Sequence, residues 1–151
     1  MLDDTDRRIL RQMQADPAAP VATIAERAGL SHAPCWRRIR RLERDGVIRA
    51  RRAVIDRRAL GYEVEVFLRI TLDKTQRNAF DAFVAEARKI AEVTTIQTLL
   101  GRVDIRMDVR ARDLAHYQDI YKTRILALPH ILDVEALMLV SELKSSEAVP
   151  V

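Results

Sequence analysis

The stretch from Ser31 to Gly46, SHAPCWRRIRRLERDG, limits the folds open to this chain more than any other. Ser31 suits a helix N-cap, where its hydroxyl can accept a backbone N–H that the first turn leaves free. Pro34 falls in that first turn, where a missing N–H costs little. Gly46 falls where a left-handed residue ends a helix. Between these marks Cys35, Ile39 and Leu42 recur at spacings of four and three and share one face. At about 100° per residue, Ala33, Arg37, Arg40 and Arg44 point the other way, with Arg41 at the edge. One face is apolar and narrow, and the other is rich in arginine, which suits phosphate oxygens and the paired acceptors of guanine.

A basic helix face can also be plain solvated surface, so its neighbour matters. Residues 20–30, PVATIAERAGL, read as a short helix with Val21, Ile24, Ala25 and Ala28 inward, closing at Gly29. Two short helices joined by a tight glycine turn form the helix-turn-helix unit, whose second helix enters the major groove. Residues 2–15 predict a preceding helix with Asp3 or Asp4 at its start and Ile9, Leu10 and Met13 inward. Asp16-Pro17-Ala18-Ala19-Pro20 ends it. The expected small core is Ile9, Leu10, Met13, Ile24, Leu30, Ile39, Leu42 and Ile48, small enough to be helped by dimerisation. On this reading Ser31, His32, Ala33, Trp36, Arg37, Arg40, Arg41 and Arg44 are the DNA-facing residues. Arg37, Arg40 and Arg41 are the candidates for base edges and phosphates, with Arg44 on the backbone.

Charge supports a division of labour. Residues 1–60 hold 14 Arg and no Lys against 8 acidic residues, whereas residues 61–151 hold 12 basic and 14 acidic ones. The first part is fitted to a polyanion and the second to another task. Residues 47–56, VIRARRAVID, read as an extended linker or a short strand, with 49–60 as the connection as a whole. Arg49, Arg51 and Arg52 there either flank DNA or are solvated linker charge.

From Gly61 the periodicity changes. Residues 62–72 alternate as a strand with Val64, Val66, Leu68 and Ile70 on one face. Residues 75–91 carry Phe80, Phe83, Val84, Ala87 and Ile90 at helical spacing. Residues 93–100 and 103–109 are β-rich, with Gly101-Arg102 a tight hairpin signal between them. Residues 113–128 are helical, with Leu114, Tyr117, Ile120, Tyr121, Ile125 and Leu128 inward, and Pro129 ends them. Residues 131–143 alternate as a last strand. The order β-α-β-β-α-β is ferredoxin-like. A four-stranded antiparallel sheet with both helices on one face leaves the other in need of cover. Val66, Leu68 and Met138 are the residues expected on that face, and sheet-to-sheet dimerisation is the expected solution. Residues 144–151 carry no periodicity and are expected to be disordered or draped on a partner.

Other signals are weaker. Cys35, on the inward face, reads as a small core residue rather than a redox sensor. Trp36 either stacks on a sugar or packs against the first helix, with packing favoured. His32 either reaches a base edge or phosphate or does neither; His116 and His130 read as surface residues. One cysteine permits no internal disulfide and fits a reducing cytoplasm. No apolar run is long enough for a membrane span, and the first residues, MLDDTDRRIL, do not read as a secretory signal. Three scattered histidines and one cysteine give no metal-ligand spacing; Asp104, Asp108 and Asp133 are the carboxylates a metal site would use, but period-2 placement on strands accounts for the first two. No nucleophile–base pair or phosphate-cradling loop appears either, so an enzyme is not expected.

Read together, LDDTDRRILRQMQAD at 2–16, IAERAGLS at 24–31, PCWRRIRRLERDGVI at 34–48, the ID…LG of 55–61 and GRVD at 101–104 resemble the leucine-responsive/asparagine regulators, the Lrp/AsnC or feast/famine family of transcription factors. The resemblance implies an α+β chain. A three-helix winged helix-turn-helix domain at 1–48 precedes a βαββαβ ferredoxin-like (ACT-like, RAM) effector-binding and oligomerisation domain at 61–143. It implies a sequence-specific DNA-binding transcriptional regulator acting on double-stranded DNA. It further implies a homodimer assembling to a tetramer or an octamer, and an effector, usually an amino acid, with no other cofactor. The effector residues it implies are those of the glycine-centred hairpin, Leu100, Gly101, Arg102, Val103 and Asp104. Gly101 would leave backbone N–H groups for a carboxylate, and Asp104 would take an ammonium. Arg102 stands where an acidic or amide residue is common in the family; it adds an anion site or closes on Asp104. Pro129-His130-Ile131 replaces the family's usual Pro-Gly-Val. An architectural nucleoid protein that binds DNA by charge alone, without effector, is the alternative.

Overall fold

The computed structural model describes residues 1–145 and 148–151. The chain divides into two compact units, Met1–Val54 with Lys144–Val151, and Ile55–Leu143. The connection expected at 49–60 is thus shared between the units, and the described tail residues belong with the first.

Three helices build the first unit: α1 (Asp4–Ala15), α2 (Val21–Arg27) and α3 (His32–Arg44). Asp3 caps α1 by accepting the Asp6 N–H at 2.8 Å, and the Asp6 carboxylate accepts the Asp3 N–H at 3.2 Å. This reciprocal box starts the helix at Asp4, not Leu2, because it uses the two acidic residues three apart. α2 ends through Gly29 at φ 69°, with the Leu30 N–H bonded to the Ala25 carbonyl at 2.8 Å. Ser31 occupies the N-cap of α3 in an extended conformation, but its hydroxyl makes no capping bond. The expected Ser31 cap bond is therefore corrected: position is kept and the hydrogen bond is not. Gly46 at φ 73° closes α3, with the Val47 N–H returning to the Leu42 carbonyl at 2.9 Å.

The core of this unit is Ile9, Met13, Ile24, Ala25, Cys35 and Ile39, with Leu30 and Ile48 packed on it. Cys35 is fully buried, and burial pushes its thiol above its ordinary pKa, so it is a small apolar core residue rather than a thiolate. The tail does not lie free. The Gln14 side-chain amide donates to the Val149 carbonyl (3.0 Å) and accepts from the Val149 N–H (2.6 Å), and Arg11 Nε donates to the Val151 carbonyl (2.5 Å). An amide side chain carries both a donor and an acceptor, so it can pair with a backbone as a strand would. The expectation of disorder or a partner is replaced, for the described tail residues, by contact with α1; residues 146 and 147 lie outside the described residues.

The second unit holds β1 (Val64–Leu72), α4 (Ala79–Ala87), β2 (Val93–Thr98), β3 (Ile105–Ala111), α5 (Leu114–Ile120), which continues into a π-helical turn (Tyr121–Ile125), and β4 (Ile131–Met138). The strands form one antiparallel sheet in the order β2-β3-β1-β4. Val66, Leu68, Ile70 and Leu72 of β1 and Ile105, Met107 and Val109 of β3 meet Phe83, Ile120 and Ile125 of the helices in one dry core.

Three expectations need correction here. Val66 and Leu68 lie on the helix side of the sheet, not the expected open side, because α4 and α5 cover that phase of the alternation. Leu114 and Phe80, each in the first turn of its helix, are exposed rather than inward. The hairpin is not a two-residue turn. β2 stops at Thr98 and β3 starts at Ile105, leaving a six-residue connection closed by the Leu99 N–H on the Asp104 carbonyl at 2.9 Å. Asp104 is drawn out of the ladder toward β1, its N–H bonding the Ile70 carbonyl at 3.0 Å.

Candidate nucleic-acid interface and effector cleft

α3 sorts its arginines into two sets. Asp6 of α1 is completely buried, and its carboxylate accepts from Arg38 Nη1 at 2.9 Å and Arg41 Nη2 at 2.5 Å. Arg38 also reaches Asp3 at 2.6 Å, and this guanidinium holds the Asp3 carboxyl below its usual range. Two arginines one turn apart thus grip two carboxylates one turn apart, and the pairing fixes α3 against α1. Arg41, expected to contact DNA, is turned back to Asp6. Helical phase alone placed it at the edge of the basic face, and Asp6 decides the direction in which it leans.

The outward set is different. Ser31, His32, Ala33, Trp36, Arg37, Arg40 and Arg44 are all exposed. Trp36 is half exposed, so the favoured packing against the first helix does not bury it. Arg37 has no ion-pair partner among the described residues. Arg40 meets Glu43 at 2.9 Å and Arg44 meets Asp45 at 3.2 Å, both in solvent. Exposed pairs of this kind are worth ~0–1 kcal/mol, so neither holds its arginine away from a polyanion. A shallow depression of about 320 Å³ lies between Pro34, Arg37, Arg38 and Arg41. Residues 49–56, with Arg49, Arg51 and Arg52, form no strand, which leaves the linker reading of that segment.

In the second unit a cleft of about 270 Å³ opens beside the β2–β3 connection. Leu72 at the end of β1, Lys74 and Arg77 in the turn that follows, Phe80 in the first turn of α4, and Leu99 and Asp104 line it. Asp104 is its polar centre. Its Oδ1 lies 2.8 Å from Lys74 Nζ and its Oδ2 accepts the Leu72 N–H at 3.0 Å. Lys74 and that N–H hold the Asp104 carboxyl below the usual carboxylate range. The alternative that Arg102 closes on Asp104 is set aside, since Lys74 fills that role. Of the hairpin residues expected at an effector site, Asp104 lines the cleft. Leu100 stands fully in solvent, Gly101 and Arg102 are exposed, and Val103 is half-buried. Sequence reasoning missed Asp6 and Arg38 on the first unit, and Lys74, Arg77 and Phe80 on the second. The Asp3/Asp6 and Arg38/Arg41 pairs, each three apart, were the available signal for the first group; nothing in the local pattern pointed to the second. Among the described residues no group of His, Cys, Asp and Glu could hold a metal ion, and no helix is long and apolar enough to cross a membrane.

This arrangement has known counterparts. Residues 2–49 match a winged helix-turn-helix DNA-binding family model, and residues 65–149 match the Lrp/AsnC ligand binding domain. The chain belongs to the Lrp/AsnC family. It is therefore a DNA-binding transcriptional regulator of the α+β type described above. Among its relatives is the glutamate uptake regulatory protein of Zymomonas mobilis, 34% identical over 99% of this chain and 90% of that one. The crystal structure of an AsnC family transcriptional regulator from Agrobacterium tumefaciens superimposes with a TM-score of 0.89 at 34% identity, covering 99% of this chain and 97% of that one. A transcriptional regulator from Neisseria meningitidis, solved as an L-Met complex, gives 0.93 at 26% identity over the same shares.

Proposed function

We propose that this Lrp/AsnC regulator reads duplex DNA sequence-specifically through the outer face of α3. In the same reading it works in the cytoplasm as a homodimer able to assemble to a tetramer or octamer, and responds to an amino-acid effector beside the 99–104 connection. The sorting of arginines on α3 carries the reading. Arg38 and Arg41 secure the helix through Asp6, while Arg37, Arg40 and Arg44 stand outward next to Trp36. Arg37 and Arg40 take base edges; Arg44 and the helix start at Ser31, His32 and Ala33 follow the backbone. Two copies of α3 in a dimer address half-sites roughly 34–36 Å apart, or a multiple of that.

The effector half is supported by the ligand-binding description of residues 65–149 and by the L-Met complex of the Neisseria meningitidis neighbour. Asp104 and the backbone of the Gly101 connection are the groups that would hold the effector, with Leu100, Arg102 and Val103 around them. An effector there changes DNA binding by shifting assembly rather than by touching α3.

Fluorescence anisotropy tests the DNA half, using a duplex enriched from a random library against random competitor. Arg37→Ala and Arg40→Ala should each cost ~1–3 kcal/mol on the enriched duplex if they read bases. Equal affinity for both duplexes, with a steep salt dependence, would replace this reading with the architectural one.

A further inference from the structure

We infer that the cleft at Asp104 is matched to an acidic amino acid, an ammonium group carried with two carboxylates. The inference rests on the proposal that this cleft is the effector site. Its charged lining is Lys74, Arg77 and Asp104, and the remaining lining residues are uncharged. Two cations and one anion leave one positive charge over. Asp104 is the group for an ammonium, but Lys74 already occupies it at 2.8 Å. That ion pair is exposed on the lysine side, so it is weak and can be exchanged. When a ligand ammonium takes Asp104, the displaced Lys74 needs a carboxylate.

Arg77 makes the second demand. It lines the cleft, is exposed, and has no ion-pair partner among the described residues. Asp73 makes no ion pair with it and does not line the cleft; its Oδ1 accepts the Thr75 N–H (3.0 Å) and hydroxyl (2.7 Å) instead. A neutral amino acid offers one carboxylate to two cations and leaves one of them unpaired beside the bound ligand. An amino acid with a carboxylate side chain offers two, and every charge of the cleft lining closes; Arg102 is exposed on the 99–104 connection and is not part of that lining. Phe80 and Leu99 give a short apolar wall for the intervening methylenes, and the 270 Å³ volume suits a small ligand. Specificity then comes from the charge left unpaired by the wrong ligand as much as from contacts to the right one.

The test is isothermal titration calorimetry on the full chain with L-glutamate, L-aspartate, L-leucine, L-methionine and glutarate, in a buffer free of carboxylates. L-glutamate or L-aspartate should bind, each neutral amino acid at least about tenfold more weakly, a step of about 1.4 kcal/mol. Glutarate should be similarly weakened, because it leaves Asp104 without an ammonium. Arg77→Gln and Lys74→Gln, both on exposed side chains, should each weaken the acidic ligand by about tenfold or more. Leucine or methionine binding as tightly as glutamate would overturn the inference and leave the effector site standing. So would acidic binding that Arg77→Gln and Lys74→Gln do not touch, because the ligand would then sit elsewhere. If none of the amino acids binds, the effector reading falls and the inference with it.

Discussion

Asp6 is the residue on which the reading helix depends. It is fully buried, and its carboxylate accepts the Asp3 N–H and both guanidinium groups. Removing one partner of a buried pair costs about 3–5 kcal/mol when the other is left buried. Here the Arg38 and Arg41 side chains are 31% and 40% exposed and can rehydrate, so the loss should be smaller. Asp6→Ala is expected to cost about 2–3 kcal/mol in urea denaturation and to weaken DNA binding without touching a DNA-facing residue. Asp104 offers a pH test. Its carboxyl is held low by Lys74 and the Leu72 N–H, below the roughly 3.9 of an unfolded aspartate. Stability from a lowered carboxyl is fully present above the unfolded value and disappears as pH falls through the folded one. The melting temperature of the native chain should therefore exceed that of Lys74→Met at pH 6, and the gap should shrink toward pH 2.5. A gap that persists there would mean that Lys74 stabilises by packing rather than charge. At this scale the sequence was half legible. Cys35 and the outward arginines could be placed from helical phase alone. Arg41 could not, because the carboxylate that turns it belongs to a residue 35 positions away.

The elements show where periodicity stops being informative. Ile90 is buried at helical spacing from Phe83 and Ala87, yet α4 ends at Ala87. An apolar side chain can fill the core from the turn that follows a helix as well as from the helix itself. The second helix fails the simple reading differently. α5 opens into a π-helical turn at Tyr121–Ile125, which lets Ile120 and Ile125, five residues apart, both reach the core. The most informative element boundary is His130, just before β4. It holds φ 64°, the left-handed region that glycine adopts freely, and its carbonyl accepts the Asp73 N–H at 2.8 Å. The backbone of a Pro-Gly-Val turn is thus kept without the glycine. A non-glycine residue there costs about 1–2 kcal/mol, part of which glycine returns through its freer unfolded chain. His130→Gly should stabilise the protein by about 0.5–1 kcal/mol in the same denaturation assay. A loss instead would show that the imidazole makes up for its backbone.

At the scale of the whole molecule, the sheet face opposite the helices is the surface on which the proposed pairing of two copies is to be tested. Val66 and Leu68 are fully satisfied by the helices, so the open face is built from the alternate positions. Phe67 and Leu137 are register partners at its centre, and Leu137 is 42% exposed. Around them the guanidinium of Arg106 lies 4.8 Å from the Phe67 ring centroid, Arg69 pairs with Glu135 at 3.1 Å, and Arg110 pairs with Glu65. An apolar centre ringed by paired charges is the anatomy of a protein–protein interface, in which the ring excludes water from the centre. The sequence pattern alone puts Val66 and Leu68 on the open face, whereas the helices cover them. It showed that β1 alternates, but which phase of the alternation the helices cover depends on α4 and α5, far along the chain. If the Phe67–Leu137 centre joins two copies, a carboxylate there has to be desolvated, and the nearby Arg106 is already paired with Asp108. Phe67→Glu and Leu137→Glu should each lower the mass seen by light scattering toward the 17.3 kDa of one chain. Both positions are outside the helix-side core, so circular dichroism of the variants should keep the native signal. An assembly mass unchanged by both variants would move the interface to another surface, and the exposed edge strand β4 would be the next face to mutate.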